Sequence, residues 1–161
     1  MLRNLLFVLL LCLISFSCSK SPKAQLSSDI LGIRIGMPKE DTIKRLQEIG
    51  KLSSEERKGE IWILNNDPHY SHIIIAFDKE KKDVRYITAK ARENGTKVRY
   101  SDVVNISKAK LLSSPNNYKY IQDVEGNEST PGYSRIASGT DSDYLNYFSL
   151  KELNLLEEES K

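Results

Sequence analysis

The sequence predicts an α+β domain in which an N-terminal amphipathic helix packs on an antiparallel β-meander. Two observations carry this. Ile43, Leu46 and Ile49 recur at three-residue spacing, which places one apolar stripe along a helix. Beyond Gly50 the period changes, and short apolar runs alternate with turn chemistry in the manner of strands and hairpins.

Taken in order, Ile33 and Ile35 alternate with Arg34, as in a short strand or an extended lead-in. Pro38 suits the first helical position, where its missing N–H costs nothing. Glu40 and Asp41 in the first turn complement the helix dipole, and Gly50 is placed to end the helix. Glu40 with Lys44, Asp41 with Arg45 and Lys44 with Glu48 can pair at i,i+4 on the solvent side. Strands are expected over Glu60–Asn65, Ser71–Asp78 and Val84–Ala91, with turns at Asn65–Pro68 and Asp78–Asp83. Asn94-Gly95 is a hairpin signal leading into Lys97–Tyr100. Ile106–Leu112 reads as a short second helix, and Tyr118–Glu125, Tyr133–Gly139 and Tyr144–Leu150 as strands. Helix followed by three strands thus occurs twice, a pattern that a duplicated unit would produce, although the halves share no residue-level identity. The expected core sets Trp62, Ile73, Ile75, Phe77 and Tyr86 beneath the helix.

The chain has 161 residues, 24 of them basic and 22 acidic, which argues against a nucleic-acid partner. Its first residues carry more information. Arg3 is followed by an uncharged apolar run from Leu5 to Ile14 and then by Ser15-Phe16-Ser17-Cys18. That is the anatomy of a secretory signal, and the run is shorter than the roughly 20 residues that span a bilayer. A cysteine directly after the small residue resembles the lipobox of bacterial lipoproteins. The resemblance implies a signal peptide over residues 1–17, cleavage before Cys18, lipidation of Cys18, and attachment to a membrane of the cell envelope (the periplasmic side of the outer membrane in a Gram-negative cell). Cys18 would then be the only cysteine left, so no intramolecular disulfide is expected. Residues 18–29 read as a polar, flexible tether, residues 30–154 as a single domain, and residues 155–161 as a charged tail.

Ile33-Arg34-Ile35-Gly36-Met37-Pro38-Lys39-Glu40-Asp41, together with the helix and meander after it, resembles the opening of the small SmpA/OmlA-type outer-membrane-assembly lipoproteins. It is also similar to the repeat unit of the β-lactamase-inhibitor-protein fold. The likeness covers about residues 30–90 in pattern, and identity rests on Gly36, Met37, Glu40 and the helix spacing. Pro38 stands where those families usually have a serine or threonine cap, and no proline follows Gly50. What the resemblance implies is a non-enzymatic envelope module that binds proteins.

No residue set announces a reaction. His69 and His72, three apart at the start of a strand, tend to opposite faces and have no well-spaced third ligand, so no metal site is expected. Asp141-Ser142-Asp143 lacks the glycine and terminal glutamate of a calcium loop and reads as a polar turn. Neither a Gly-x-Ser-x-Gly elbow nor a glycine-rich phosphate loop is present, so no catalytic residue and no cofactor is expected. Two features could bind a partner. Arg85, Lys90, Arg92, Lys97 and Arg99 could form one basic patch across neighbouring strands. Tyr118, Tyr120, Tyr133, Tyr144 and Tyr147 are interface-prone side chains, although tyrosine also simply favours strands. The expected function is therefore lipid-anchored binding of another envelope protein. The alternatives are a ligand-binding or inhibitory lipoprotein that grips a soluble partner or cell-wall component, and a hydrolase with a dispersed site.

Overall fold

The computed structural model describes residues 26–56, 59–128 and 130–153. The leader, Cys18 and the charged tail lie outside the described residues. Eight strands form one antiparallel sheet in the order β1-β2-β3-β4-β8-β7-β6-β5. In chain order they are β1 (Gly50–Glu56), β2 (Gly59–Leu64), β3 (Tyr70–Phe77), β4 (Val84–Ala91), β5 (Lys110–Ser114), β6 (Asn117–Val124), β7 (Tyr133–Gly139) and β8 (Tyr147–Glu152). Helix α1 (Lys39–Ile49) precedes the first four strands and the short α2 (Tyr100–Val103) precedes the last four. The arrangement is α+β with the sheet dominant, and β4 beside β8 joins two four-stranded meanders.

The lead-in to α1 is more tightly built than a strand. Ile30 and Ile33 exchange two backbone hydrogen bonds around Leu31 and Gly32, both at positive φ, which is the geometry of a two-residue hairpin turn. Ile30, Ile33 and Ile35 are all buried. The Gly36 and Lys39 amides then donate to the carbonyls of Val84 and Lys82, and Val84 returns a bond to Met37. The helix is thereby fixed to the start of β4. Residues 26–29, assigned to the tether from sequence, also touch the domain: Ser27 accepts a hydrogen bond from Arg135, and Asp29 accepts one from the Gly32 amide.

Helix α1 buries Leu46 completely, and Ile43 and Ile49 pack partly against the same cluster. Glu60 ties its first turn to β2, pairing with Lys39 at 3.1 Å and accepting the Trp62 indole N–H at 3.1 Å. Pro38 stands one position before the helix, as its N-cap, in an extended conformation. The surface pairs close at i,i+3 (Lys44 with Asp41, Arg45 with Glu48), because Arg45 turns back to donate to the Leu31 carbonyl. Gly50 ends the helix in an extended conformation and not in a left-handed one. A Cβ there would stand 2.5 Å from the Ile63 carbonyl oxygen, so the close approach of β1 to β2 requires glycine.

Four expectations are corrected. β1 was not anticipated: Lys51-Leu52-Ser53-Ser54-Glu55-Glu56 has no apolar alternation, and it is an exposed edge strand paired only through its backbone to β2. Ile106–Leu112 is not a helix. Asn105 caps the Ser107 amide in a tight turn, and Leu111 and Leu112 fall on opposite faces of the exposed edge strand β5. Lys97–Tyr100 does not continue the sheet beside β4. Instead Val98 to Tyr100 bond to Asp143–Leu145, which also delays β8 to Tyr147. Tyr86 lies on the opposite face from the core, under the Lys151 ammonium at 5.1 Å.

Candidate functional site

The core lies on one face of the sheet. Trp62, Leu64, Ile73, Ile75, Ile87, Ala89, Phe148, Leu150, Tyr133 and Ala137 form a single buried cluster with Leu46 and the lead-in isoleucines, and Tyr118, Tyr120 and Val124 pack against it. Strand alternation sends their neighbours to the other face. The register there runs in three files. One is Ile61, Ile74, Thr88, Ser149, Ile136, Ile121 and Lys110. A second is Ile63, His72, Lys90, Tyr147, Ser138, Lys119 and Leu112. The third is Ala76, Tyr86, Lys151, Ser134 and Asp123. None of these residues belongs to the core cluster. Ile63 is 48% exposed and Tyr147 40% exposed.

This second face is apolar along its middle and basic at its borders. Thr88 and Ser149 satisfy each other across the file at 2.6 Å, so its centre presents little unmet polarity. Lys90, Lys119, Lys110 and Lys151 surround it, whereas the Asp123 carboxylate is occupied by the Ser134 hydroxyl. Of its apolar side chains Ile63, Leu112 and Tyr147 are exposed, Ile61, Ile74 and Ile121 are half-buried and Ile136 is only 8% exposed, and Lys90 also pairs with Glu93 at 4.0 Å.

One border of the face opens into a hollow of about 650 Å³ lined by Lys90, Lys97, Asp141, Tyr144, Asn146 and Tyr147. Its geometry follows from the turn at Asp141. The Asp141 carboxylate accepts the Asp143 and Tyr144 amides, chiefly the former, which holds its pKa below the usual carboxylate range. Its carbonyl accepts the Tyr100 hydroxyl at 2.9 Å. Tyr144 is thereby set beneath Lys97 and Arg99, at 4.8 and 5.6 Å from its ring centre. Burial, with Asp141 nearby, pushes the Tyr100 phenol up to about 12, so it remains a neutral donor.

The structure therefore divides the residues singled out from sequence. Tyr144, Tyr147, Lys97 and Arg99 come together at the edge of the open face, with Lys90. Tyr133 is a core residue, 5% exposed, because its strand phase points it toward the helix side. Tyr118 and Tyr120 point the same way, and the Tyr120 ring packs 4.8 Å from that of Tyr100. Arg85 lies at the far end of β4 from Lys90. Arg92 is a structural pin that donates to the carbonyls of Asp67 and Tyr70. The five cations thus do not form one patch. Ile61, Ile63, Ile74, Ile121 and Ile136, to which the sequence assigns strands but no binding role, lie on this face, and Ile136 is only 8% exposed. The signal was present in Ile61-Trp62-Ile63-Leu64 and Ile73-Ile74-Ile75, since an unbroken apolar run in an antiparallel sheet makes both of its faces apolar.

His69 and His72 do not converge. His69 stands before β3 with Nδ1 3.2 Å from the Thr96 carbonyl, to which it donates, while His72 lies within the open face between Ile63 and Lys90. Among the described residues there is no group of three metal-ligating side chains, and no helix is long and apolar enough to cross a membrane. Burial, and then Lys90, lower the His72 pKa below its ordinary value. A depressed folded-state pKa favours the neutral ring, so this contribution to stability is complete above the ordinary value of about 6.5 and is lost as pH falls through the folded pKa. His72→Gln should therefore shallow the acid limb of stability. Urea midpoints at neutral and mildly acidic pH would check this, and equal acid sensitivity in both proteins would refute it.

No protein family matches the sequence, and no curated protein or solved structure is significantly similar to it.

Proposed function

We propose that this protein is a lipid-anchored, non-enzymatic envelope module that holds another envelope protein against the open face of its sheet. The observation that carries the reading is the accessible set Ile61, Ile63, Ile74 and Ile121 on that face, bordered by lysines and continuous with the Tyr144–Tyr147 hollow. Apolar area supplies affinity at such a surface, and the lysine border selects an acidic partner and speeds its approach. The lipobox-like Ser15-Phe16-Ser17-Cys18 supports the anchor. The resemblance of residues 33–41 to outer-membrane-assembly lipoproteins, and the symmetrical strand order with a helix ahead of each meander, support descent from a duplicated helix-and-meander unit.

The second reading is a lipoprotein that grips a soluble partner or cell-wall component, and the 650 Å³ hollow beside Lys97 and Tyr144 favours it over a catalytic one. Asp141, Asn146 and Lys97 in that hollow are engaged in turn hydrogen bonds and a ring contact.

Both readings rest on the anchor, and fractionation tests it. The wild-type protein should sediment with membranes, whereas Cys18→Ser should be released or remain unprocessed, since stable attachment needs two or more lipid chains. Equal partitioning and processing of the two would rule the anchor out. Capture of partners from solubilised membranes, followed by mass spectrometry, then tests the binding. An acidic envelope protein retained by wild type supports the first reading, and a soluble protein or glycan supports the second.

A further inference from the structure

On the helix-bearing side of the sheet, away from the open face, lies a second and larger cavity of about 1240 Å³. It is bounded by the chain at Leu26–Ser28, the lead-in at Arg34–Ile35, the loop after α2, and the inward side chains of β6 and β7. Arg135 reaches into its wall from β7 and is only 3% exposed. Among the described residues its partners are the carbonyl of Val103 at 2.6 Å, the carbonyl of Ser27 and the ring of Phe148 at 6.0 Å. These take up hydrogen bonds and soften the charge, but none is an anion. A buried guanidinium without a carboxylate partner carries an uncompensated desolvation cost. The same cation, planar and rich in donors, matches carboxylate and phosphate geometry.

Two more cations line the cavity, Arg34 and Lys108, against one acid among the described residues, Glu125. The wall mixes polar side chains with an accessible apolar strip, Leu26, Ile106 and Val124. An apolar strip beside converging cations suits a ligand that has one anionic and one apolar end. We infer that this cavity binds a small amphiphile that carries one carboxylate or phosphate, with its anionic end at Arg135 and its apolar body along Leu26, Ile106 and Val124. Arg34 and Lys108 reinforce the charge at the mouth. The site is independent of the open face, so it stands or falls apart from the docking surface.

The test uses the full chain purified in a neutral maltoside detergent, with octanoate, octyl phosphate and octanol as probes and thermal midpoint as the readout. Ligand that binds only the folded state raises the midpoint with concentration. Octanoate or octyl phosphate should raise it and octanol should not, and a response to only one of the anions identifies the head group. Arg135→Gln should weaken the response about tenfold or more. Because Arg135 also joins backbone segments, the double variant Arg34→Gln/Lys108→Gln, at exposed positions, provides a second reading and should weaken it several-fold. Stabilisation by octanol equal to that by the anions, an unchanged response in the double variant, or no response to any probe would overturn the site.

Discussion

Leu46→Ala should destabilise the domain by roughly 2–5 kcal/mol, the cost of emptying a fully buried leucine site. Leu46, like Thr42 one turn before it, has no exposed surface, and its cluster holds Trp62, Ile73 and Ile75 from β2 and β3. The neighbours cannot easily close around the void. Trp62 is tethered through its indole N–H to Glu60, and Glu60 is itself held by Lys39 at the start of the helix. The cost should therefore sit toward the upper part of that range. In thermal unfolding this corresponds to a loss on the order of 10 °C. A midpoint within a degree of wild type would show that α1 does not contribute to the core through Leu46.

Much of this fold was legible in the sequence, and the illegible parts share a physical cause. Helix α1 and strands β2, β3, β4, β6 and β7 place side chains in or against the core, so burial wrote apolar stripes or runs into them. β1 and β5 are the two edges of the sheet and bury almost nothing. Their existence rests on backbone hydrogen bonds to β2 and β6, which any residue but proline can make, so Lys51-Leu52-Ser53-Ser54 carried no signal. β1 is protected as edges usually are, with Lys51, Glu55 and Glu56 along it and a bulge between Leu52 and Ser54. Helix α2 was missed because four residues are too few to show a period, and its place is set by Asp102 accepting the Arg99 amide.

The candidate site was harder to read because tyrosine serves both surface and core. Tyr133 and Tyr147 each open a strand, yet they fall on opposite faces, since face depends on strand phase and phase depends on partners elsewhere in the chain. Arg135 compounds this. A charged residue on the core face breaks the alternation of Tyr133-Ser134-Arg135-Ile136-Ala137, so the inward set could not be told from the outward set by polarity alone. The basic residues misled for a related reason. Adjacent strands were read as one patch, whereas the segment after β4 leaves the sheet to pair with Tyr144, carrying Lys97 and Arg99 to the mouth of the hollow and leaving Arg85 at the other end of β4.

That division of faces makes the sharpest functional prediction, because Ile73 and Ile74 are neighbours in sequence and opposites in space. Ile73 is wholly buried in the core, and Ile74 sits in the open file between Ile61 and Thr88. Ile73→Ala should cost about 2–5 kcal/mol of stability and reduce binding only through the fraction of protein that unfolds. Ile74→Asp, by contrast, should leave a folded domain, because a carboxylate at a half-open position remains in contact with water. It would place a negative charge in the middle of the surface proposed to meet an acidic partner through apolar contact and lysines. Partner affinity should then fall by at least about 2 kcal/mol, roughly thirtyfold, as expected when a central anchor is lost. Tyr147→Ala, from the neighbouring file, should produce a loss of similar size. Lys97→Ala and Arg99→Ala, at the rim, should mainly slow association and weaken its salt dependence. The measurement is equilibrium binding to the co-purifying partner, with folding verified for each variant by circular dichroism. If Ile74→Asp and Tyr147→Ala bind as wild type does while remaining folded, the open face is not the docking surface.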